Sequence, residues 1–273
     1  MPDSGKTAVV ADDATLGTVC PPGTEPEGFV SVPRRPRIGP AATAQDLARR
    51  GVNRAIVIGP TAGEGEALAS AGITAVAWLT DPHTEPVGVE SFVAVVATGA
   101  DAAAAQRATE WRLEPLPVGD FLFVGNDLGP AIERVFFDGP TSPERDLYLQ
   151  PVKHRFDVLH LVSGAGPTEL TDLIKRCQIA VDLVERLGLA RRDRIGSAMA
   201  SGLLVLAQAP IDRPGLTEGE HLWTFESPAE LELLIADALR EPGAFLPTRR
   251  NGRAVAERLR TSTVVPRVAR LLD

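Results

Sequence analysis

The feature that most constrains the fold of this chain is a repeated alternation of short apolar segments with helical segments. In the first half the apolar segments are "RAIVIG", "TAVAWL" and "SFVAVVATG", and in the second half they are "RVFFDG", "FDVLHLVSG", "IAVDLV" and "LLVLAQ". Strands that are apolar on both faces and are separated by helices are typical of a parallel sheet covered by helices. The sequence therefore predicts an α/β protein.

Proline and glycine concentrate between the two halves, in "PLPVGDFLFVGNDLGP". Such a segment suits a crossing between domains, and 273 residues are ample for two. We predict a Rossmann-like lobe over residues 1–126, a second lobe over 127–250 and a basic C-terminal helix over 251–273. "KTAVVADD" predicts a first strand, and the segment after it, up to Pro40, predicts a long loop because proline removes backbone donors.

The segment "SPAELELLIADALRE" has the most complete helix signals. Ser227 has the side chain of an N-cap, Pro228 suits the first helical position, and Glu230 can reach back to the helix start. Apolar residues then recur with the helical period. The local signals agree, so a helix beginning after Ser227 is predicted.

Composition excludes several classes of function. The net charge is −8, which disfavours nucleic acid as a bulk partner, and no run approaches the roughly 20 apolar residues of a membrane span. The two cysteines and four histidines lack metal-ligand spacing, and the N-terminus has no apolar signal core. We expect a cytoplasmic protein without a metal site. Residues 249–273 are strongly basic, which is explained by a solvated helix face, by an intramolecular contact with acidic surface, or by an anionic partner.

Small residues follow several strands of the second half. Gly139, Ser142 and Arg145 lie in "FFDGPTSPER", Gly164 and Gly166 lie in "LVSGAGPTEL", and "RRDRIGSAMASG" forms a third junction. Each junction leads into a helix, whose free backbone N–H groups attract anions. Three such helix starts at one edge of a sheet predict a site for a nucleotide diphosphate.

The ends of the strands in the first half offer further candidate ligand-binding residues. Asp81 and His83 follow "TAVAWL", where α/β proteins present side chains to ligands, although an Asp-Pro turn explains the same residues. The loop 59–72 resembles a dinucleotide loop, but it lacks a third glycine, and Glu64 and Glu66 would repel a pyrophosphate. A plain turn is favoured there. The alternative is a Rossmann-type nucleotide-dependent enzyme, such as a methyltransferase, with its ligand in the first lobe.

The chain resembles GT-B-fold glycosyltransferases, more narrowly the spore-maturation-protein-like group of sugar transferases. In the first half "AGITAVAWLTDP" is similar to that group's "gip-v-x-W-x-x-D-x-P" strand. In the second half "VFFDGPTSPERDLYL" resembles the opening of its donor domain, and "RIGSAMASGLLVL" resembles "R-x-F-E-A-x-A-S-G-x-x-x-L". The resemblance extends from about Asn53 to Asp273.

The resemblance implies two Rossmann-like lobes with a C-terminal helix that crosses back to the first. It implies a first lobe that faces an acceptor and a second that binds a nucleotide sugar as co-substrate, with no other cofactor and no metal. The donor would be bound by the residues of the three junctions, namely Gly139, Ser142, Arg145, Gly164, Gly166, Arg194, Ser197 and Ala198. Asp81, with His83, would act as the general base for an acceptor hydroxyl.

Two acidic residues of that group are missing from this chain when "RIGSAMASGLLVL" is aligned with the group's motif. Ser197 and Leu189 stand where the group has its donor-binding acids, although Glu185 and Asp193 would restore a pair if the loop were shifted. A serine can bind a hydroxyl group, but it cannot supply a charge-assisted hydrogen bond. The sequence therefore leaves open a second reading, a catalytically degenerate protein that acts as a binding or scaffolding module.

Overall fold

The computed structural model describes residues 6–35, 37–80, 89–98, 111–113, 116–123, 134–162, 165–183, 190–210 and 215–273. Contacts divide the chain into two compact units. The first unit comprises Met1–Gly119 together with Arg260–Asp273, and the second comprises Asp120–Leu259. The assignment of the predicted lobes to acceptor and donor remains a prediction.

The first unit is built on a parallel sheet of six strands in the order β2-β1-β3-β4-β5-β6. Along the chain its elements are β1 (Lys6–Ala11), α1 (Asp13–Val19), β2 (Phe29–Pro33), α2 (Pro40–Arg49), β3 (Val52–Ile58), α3 (Glu64–Ser70), β4 (Thr74–Leu79), β5 (Ala94–Ala97) and β6 (Trp111–Leu113). Short 3-10 helices occupy Val89–Ser91 and Asp120–Phe123, the second of which opens the second unit.

The long loop predicted before Pro40 is wrong, because this segment contains both a helix and a strand. Asp12 caps α1 by accepting a hydrogen bond from the Thr15 N–H at 2.9 Å. β2 pairs with β1 in parallel, from Thr7 opposite Phe29 to Ala11 opposite Pro33. Tertiary pairing thus orders a segment whose proline and glycine content predicts a loop, and Pro33 is tolerated because it ends an edge strand.

The second unit contains a parallel sheet of five strands in the order β8-β7-β9-β10-β11. Its elements are β7 (Val135–Asp138), α4 (Pro143–Arg155), β8 (Val158–Leu161), α5 (Pro167–Ile174), β9 (Ile179–Asp182), α6 (Ala190–Ala200), β10 (Leu204–Gln208), β11 (Trp223–Phe225), α7 (Pro228–Arg240) and α8 (Leu246–Glu257). The side chains of 190–193 lie outside the description.

Both units have the layered cores that their strands predict. In the first, one face of the sheet packs around Leu47 and Val57 and the other around Ile56 and Trp78. In the second, Phe137 and residues from α4 and α7 form a fully buried cluster. Burial of aliphatic side chains on both faces explains why the strands are continuously apolar. The predicted α/β class is confirmed.

The C-terminal segment returns to the first unit. Helix α9 (Thr261–Ala269) buries Val264, Val265 and Val268 against the face of the first sheet that contains Trp78. The hydroxyl group of Thr261 donates to the carbonyl oxygens of Val19 and Val118, which fixes the start of the helix. The predicted helix that crosses back is therefore confirmed.

Contacts of the basic C-terminal residues are intramolecular where the structure describes them. Arg249 is buried and its Nε donates to the Gly202 carbonyl at 2.7 Å, and Arg253 donates to the Phe123 carbonyl at 2.9 Å. Arg54 forms an ion pair with Asp273. These contacts favour the intramolecular alternative for this segment. Within the described residues, no helix has both the length and the apolar character that crossing a membrane requires.

Candidate functional site

The carboxyl ends of β7 and β9 mark the place where the second sheet can bind a ligand. From β7 the chain continues to β8 on one side, whereas β9 lies on the other side of β7. In parallel α/β sheets, ligands bind beyond the carboxyl ends of the strands where the order reverses in this way. Asp138 ends β7, and Asp182, which is buried, ends β9.

Gly139 allows two arginine side chains to approach the end of β7. Its φ is +142°, and a Cβ atom built there would lie 2.5 Å from Nη1 of Arg194 and 3.2 Å from Nη1 of Arg145. Any side chain would therefore be strained in its backbone and would displace a guanidinium group. The structure brings together three of the residues that were predicted to bind a donor.

The two guanidinium groups are held by the backbone of this same turn. Arg194 projects from α6 and donates to the Asp138 carbonyl at 2.6 Å. Arg145 projects from the first turn of α4, is buried, and donates to the Pro140 carbonyl at 2.8 Å. Its guanidinium carbon also lies 5.7 Å from the centre of the Phe137 ring. Backbone carbonyl oxygens thus help to hold both guanidinium groups at this turn.

Ser142 is the N-cap of α4. Its backbone is extended and its hydroxyl oxygen accepts a hydrogen bond from the Arg145 N–H at 3.3 Å, with Pro143 at the start of the helix. The N-cap satisfies one of the free N–H groups and keeps Arg145 next to Gly139. A direct contact between Ser142 and a ligand remains a prediction.

His160 holds the carbonyl group of Gly139. Its Nε2 lies 2.8 Å from the Gly139 oxygen, and its Nδ1 lies 3.0 Å from Nζ of Lys153. Since an ammonium group only donates, Nδ1 accepts and the proton resides on Nε2, which donates to Gly139. The ring also packs edge-on against Phe137, with the centroids 5.0 Å apart. The sequence predicts His160 only as a strand residue, because its partners are distant along the chain.

Asp138 is the acidic member of this cluster. Burial raises the pKa of its carboxyl group, although the positive charges of Arg194 and Arg145 act in the opposite direction. Among the described residues, its carboxylate forms no hydrogen bond or ion pair. Asp138 is not among the site residues predicted from the sequence. Its position, directly before a glycine at the end of an apolar strand, is the signal that would have found it.

Helix α6 contributes a second polar group to the same unit. Ser197 lies one turn after Arg194, so both are on one face of the helix. Ser197 is 8% exposed as a whole residue. Its hydroxyl oxygen is buried and has no hydrogen-bond partner among the described residues. Buried hydroxyl groups are normally paired. Ala198 is buried beside it and presents no polar side chain.

The chain was compared with protein families and with known proteins. No family model and no curated protein sequence matches it. Solved structures do match along nearly the whole chain. Anabaena Alr3699/HepE in complex with UDP and glucose has a TM-score of 0.62 at 13% identity, and the match covers 98% of this chain and 99% of that one. The chain has the GT-B fold.

Two further solved structures give similar values. A glycosyltransferase from Rickettsia africae ESF-5 matches with a TM-score of 0.62 at 8% identity, covering 98% of both chains. Sucrose-phosphate synthase (tll1590) from Thermosynechococcus elongatus matches with a TM-score of 0.59 at 13% identity, covering 98% of this chain and 99% of that one. The predicted resemblance is confirmed at the level of the fold.

The remaining residues that were predicted to bind a donor are only partly described. Gly166 is the exposed N-cap of α5, and a Cβ atom built there would meet no atom within 4 Å. Gly164 lies outside the described residues, as do Glu185 and Leu189 and the side chain of Asp193. The alternative register for the two missing acids therefore stays a prediction.

The predicted acceptor residues Asp81 and His83 also lie outside the described residues. Within the described ranges, no group of three or more His, Cys, Asp or Glu side chains is arranged to hold a metal ion. Both cysteines are buried, and neither forms a disulfide within the described residues. Burial raises the pKa of Cys177 to about 12, so its thiol stays protonated at neutral pH and is a poor nucleophile.

In the first unit of the GT-B fold, a carboxylate occupies the start of α3. Glu64 is buried, and its Oε2 accepts from the N–H and the hydroxyl group of Thr61, at 2.9 and 3.1 Å. Its Oε1 lies 3.2 Å from Nε of Arg34. A negative charge thus already lies where a dinucleotide fold would place the pyrophosphate. This geometry disfavours the alternative of a nucleotide bound at loop 59–72.

Proposed function

We propose that the protein is a glycosyltransferase that moves a sugar from a nucleotide-diphosphate donor to an acceptor hydroxyl group. The observation that carries this proposal is the convergence of Arg145 and Arg194 on the turn at Gly139, at the strand end where a GT-B second lobe would bind its donor. Two guanidinium groups fixed at one turn suit the paired phosphoryl groups of a nucleotide sugar.

The same arrangement would assist the reaction. When the bond between the sugar and the diphosphate breaks, negative charge develops on the departing phosphoryl oxygen. Arg145 and Arg194 would stabilise that charge without reorganising, because backbone carbonyl groups already hold them. The backbone N–H groups at the starts of α4 and α5, next to Ser142, Gly164 and Gly166, would bind the remaining phosphoryl oxygens.

Ser197 would donate its hydroxyl proton to the sugar or ribose of the donor, since that hydroxyl group is buried on the same helix face as Arg194. Ala198 would line the site by packing alone. In the first unit, which would bind the acceptor, Asp81 would take the proton of the attacking hydroxyl group in concert with His83. HepE and a spinosyn forosaminyltransferase, SpnP, are GT-B neighbours that support glycosyl transfer as the class of reaction.

The second candidate function is a noncatalytic nucleotide-sugar-binding module. It is favoured by Ser197, an uncharged side chain at the position where the resembled group has a glutamate. A neutral hydroxyl group forms a weaker bond to a ligand than a carboxylate does. The two functions share the donor site and differ only in whether the sugar is released.

A thermal-shift screen tests the proposal. UDP, GDP, TDP and their sugars are compared with S-adenosylmethionine and NAD, each well above its dissociation constant. A ligand at 100 times that constant stabilises the folded state by about 2.7 kcal/mol, which corresponds to a Tm increase of several degrees. Stabilisation by a nucleotide sugar followed by its hydrolysis or transfer supports the enzyme. Stabilisation without turnover supports the binding module, and stabilisation by S-adenosylmethionine alone contradicts both.

A further inference from the structure

Three successive backbone carbonyl groups of the turn after β7 each accept a hydrogen bond from a side chain. These bonds run from Arg194 to Asp138 at 2.6 Å, from His160 to Gly139 at 2.8 Å and from Arg145 to Pro140 at 2.8 Å. A carbonyl oxygen carries partial negative charge, so one that faced a diphosphate would repel it. The direction of these carbonyl groups therefore decides how well the turn accepts an anion.

We propose that His160 is a positioning residue for donor binding, which holds the Gly139 carbonyl oxygen against its imidazole and so keeps that oxygen from facing the diphosphate of a nucleotide sugar. This inference rests on the proposed function, because it concerns the same donor site. In this proposal His160 contacts neither the sugar nor the phosphoryl groups. It acts on binding through the backbone of the turn.

The imidazole of His160 is fixed by two neighbours. His160 of β8 pairs with Phe137 of β7, and its ring packs edge-on against the Phe137 ring, with the centroids 5.0 Å apart. Its Nδ1 lies 3.0 Å from Nζ of Lys153, which belongs to the last turn of α4. Because an ammonium group only donates, Lys153 makes Nδ1 an acceptor and leaves the ring proton on Nε2. Nε2 is the atom that donates to Gly139.

Both backbone groups of Gly139 are bound to β8. Its N–H donates to the Leu161 carbonyl at 2.9 Å, which extends the pairing of β7 with β8, and its carbonyl group accepts from the His160 side chain. Glycine restricts its own backbone dihedral angles less than any other residue does. The strand pairing fixes only the N–H, so the side chain of His160 is what fixes the direction of the carbonyl group.

Calorimetric titration with UDP-glucose, GDP-mannose and TDP-glucose tests the inference. His160→Phe keeps an aromatic ring against Phe137 but cannot donate, so it should weaken binding of the probe that the wild type binds by at least about fivefold. His160→Gln keeps an N–H that can donate to Gly139 and should stay within about twofold of the wild type. His154→Phe is the matched control, because His154 is exposed in the last turn of α4. It should bind as the wild type does.

The nucleosides uridine, guanosine and thymidine separate positioning from general damage to the site. They lack phosphoryl groups, so the His160→Phe variant should bind the matching nucleoside as the wild type does and should lose affinity only for the nucleotide sugar. Equal losses for the nucleoside and the nucleotide sugar would overturn the inference. Urea unfolding of each variant shows whether it is folded.

Lys153→Met tests how the ring proton is held. It keeps an unbranched side chain without the ammonium group, and it should weaken binding of the nucleotide sugar by about threefold. In the His160→Gln background the same change should have no effect, because an amide needs no partner to carry its N–H. Nitrogen NMR of the free protein at neutral pH should show the His160 proton on Nε2. A proton on Nδ1 would overturn the inference without any ligand.

The outcomes separate this inference from the function on which it rests. If a nucleotide sugar binds the wild type and the His160→Phe variant equally, the carbonyl group need not be held, and the inference is overturned while the proposed function stands. If His160→Gln loses as much affinity as His160→Phe, the imidazole itself is needed and the inference is again overturned. If no probe binds the wild type or any variant, the proposed function fails and the inference fails with it.

Discussion

At the scale of the residue, Gly139 decides whether the two arginines can meet at the end of β7. Its φ of +142° lies in a region that favours glycine, and Nη1 of Arg194 occupies the space of a Cβ atom. The approach of the two guanidinium groups to this turn thus requires a residue without a Cβ atom at position 139.

Gly139→Ala should destabilise the protein by about 1–3 kcal/mol, the usual cost of a strained backbone conformation. It should also weaken nucleotide-sugar binding by about tenfold or more, because the displaced guanidinium group no longer points at the phosphoryl groups. Urea unfolding and calorimetric titration measure the two effects.

Gly243→Ala provides the matched control. Gly243 does not have a positive φ, and an added Cβ atom would meet nothing within 4 Å. This variant should bind and unfold nearly as the wild type does. Equal donor affinity in G139A and the wild type would show that the arrangement of the two arginines is not needed for binding.

At the scale of the element, α7 shows how local signals specify a helix. Its start was predicted in detail, and the Ser227 hydroxyl group accepts from the Glu230 N–H at 3.2 Å. The Glu230 carboxylate reaches back to the Glu226 N–H at 2.8 Å, one residue before the N-cap. Leu231 and Ile235 are buried on the apolar face. Capping and packing therefore act together.

Ser227→Ala should lower the free energy of unfolding by about 1 kcal/mol, because the first turn of α7 loses a side-chain acceptor. Ser227→Asp keeps an acceptor and should cost far less. Chemical denaturation of the three proteins provides the measurement. An alanine variant as stable as the aspartate variant would show that the cap contributes little.

Elements and residues differ in how far the sequence predicts them. Buried strands such as β3 and β4 are predicted well, because burial on both faces leaves a continuous apolar run. The segment before Pro40 was predicted wrongly as a loop, because the pairing of β2 with β1 overrides its proline- and glycine-rich composition. Arg145 was predicted from its junction and Arg194 from the resemblance to GT-B sugar transferases. Asp138 and His160 were missed, because their roles arise from contacts between strands and helices that are far apart in sequence.

At the scale of the whole molecule, the two units have the same architecture and different chemistry at their strand ends. The start of α3 holds the buried carboxylate of Glu64, whereas the turn at Gly139 holds Arg145 and Arg194. The Glu64 carboxylate already has Arg34 as its partner, so the turn that holds two arginines is better suited to an anionic donor. The charge distribution thus favours the second unit as the place of the proposed donor.

Activity is expected to persist in the presence of EDTA. The two arginines would supply the positive charge that a divalent cation supplies in metal-dependent sugar transfer. Sugar release or transfer is measured before and after chelation, and again after Mg²⁺ or Mn²⁺ is added back. A loss of activity that the added cation reverses would contradict this expectation.

The central claim is that a nucleotide sugar binds at the carboxyl ends of β7 and β9 in the second unit. Hydrogen–deuterium exchange with and without UDP-glucose, or whichever nucleotide sugar stabilises the protein, tests it most directly. The account predicts that exchange slows in residues 138–146 and 194–198 when the sugar nucleotide binds. Protection confined to residues 58–66 of the first unit, with no change at the turn that contains Gly139, would contradict it.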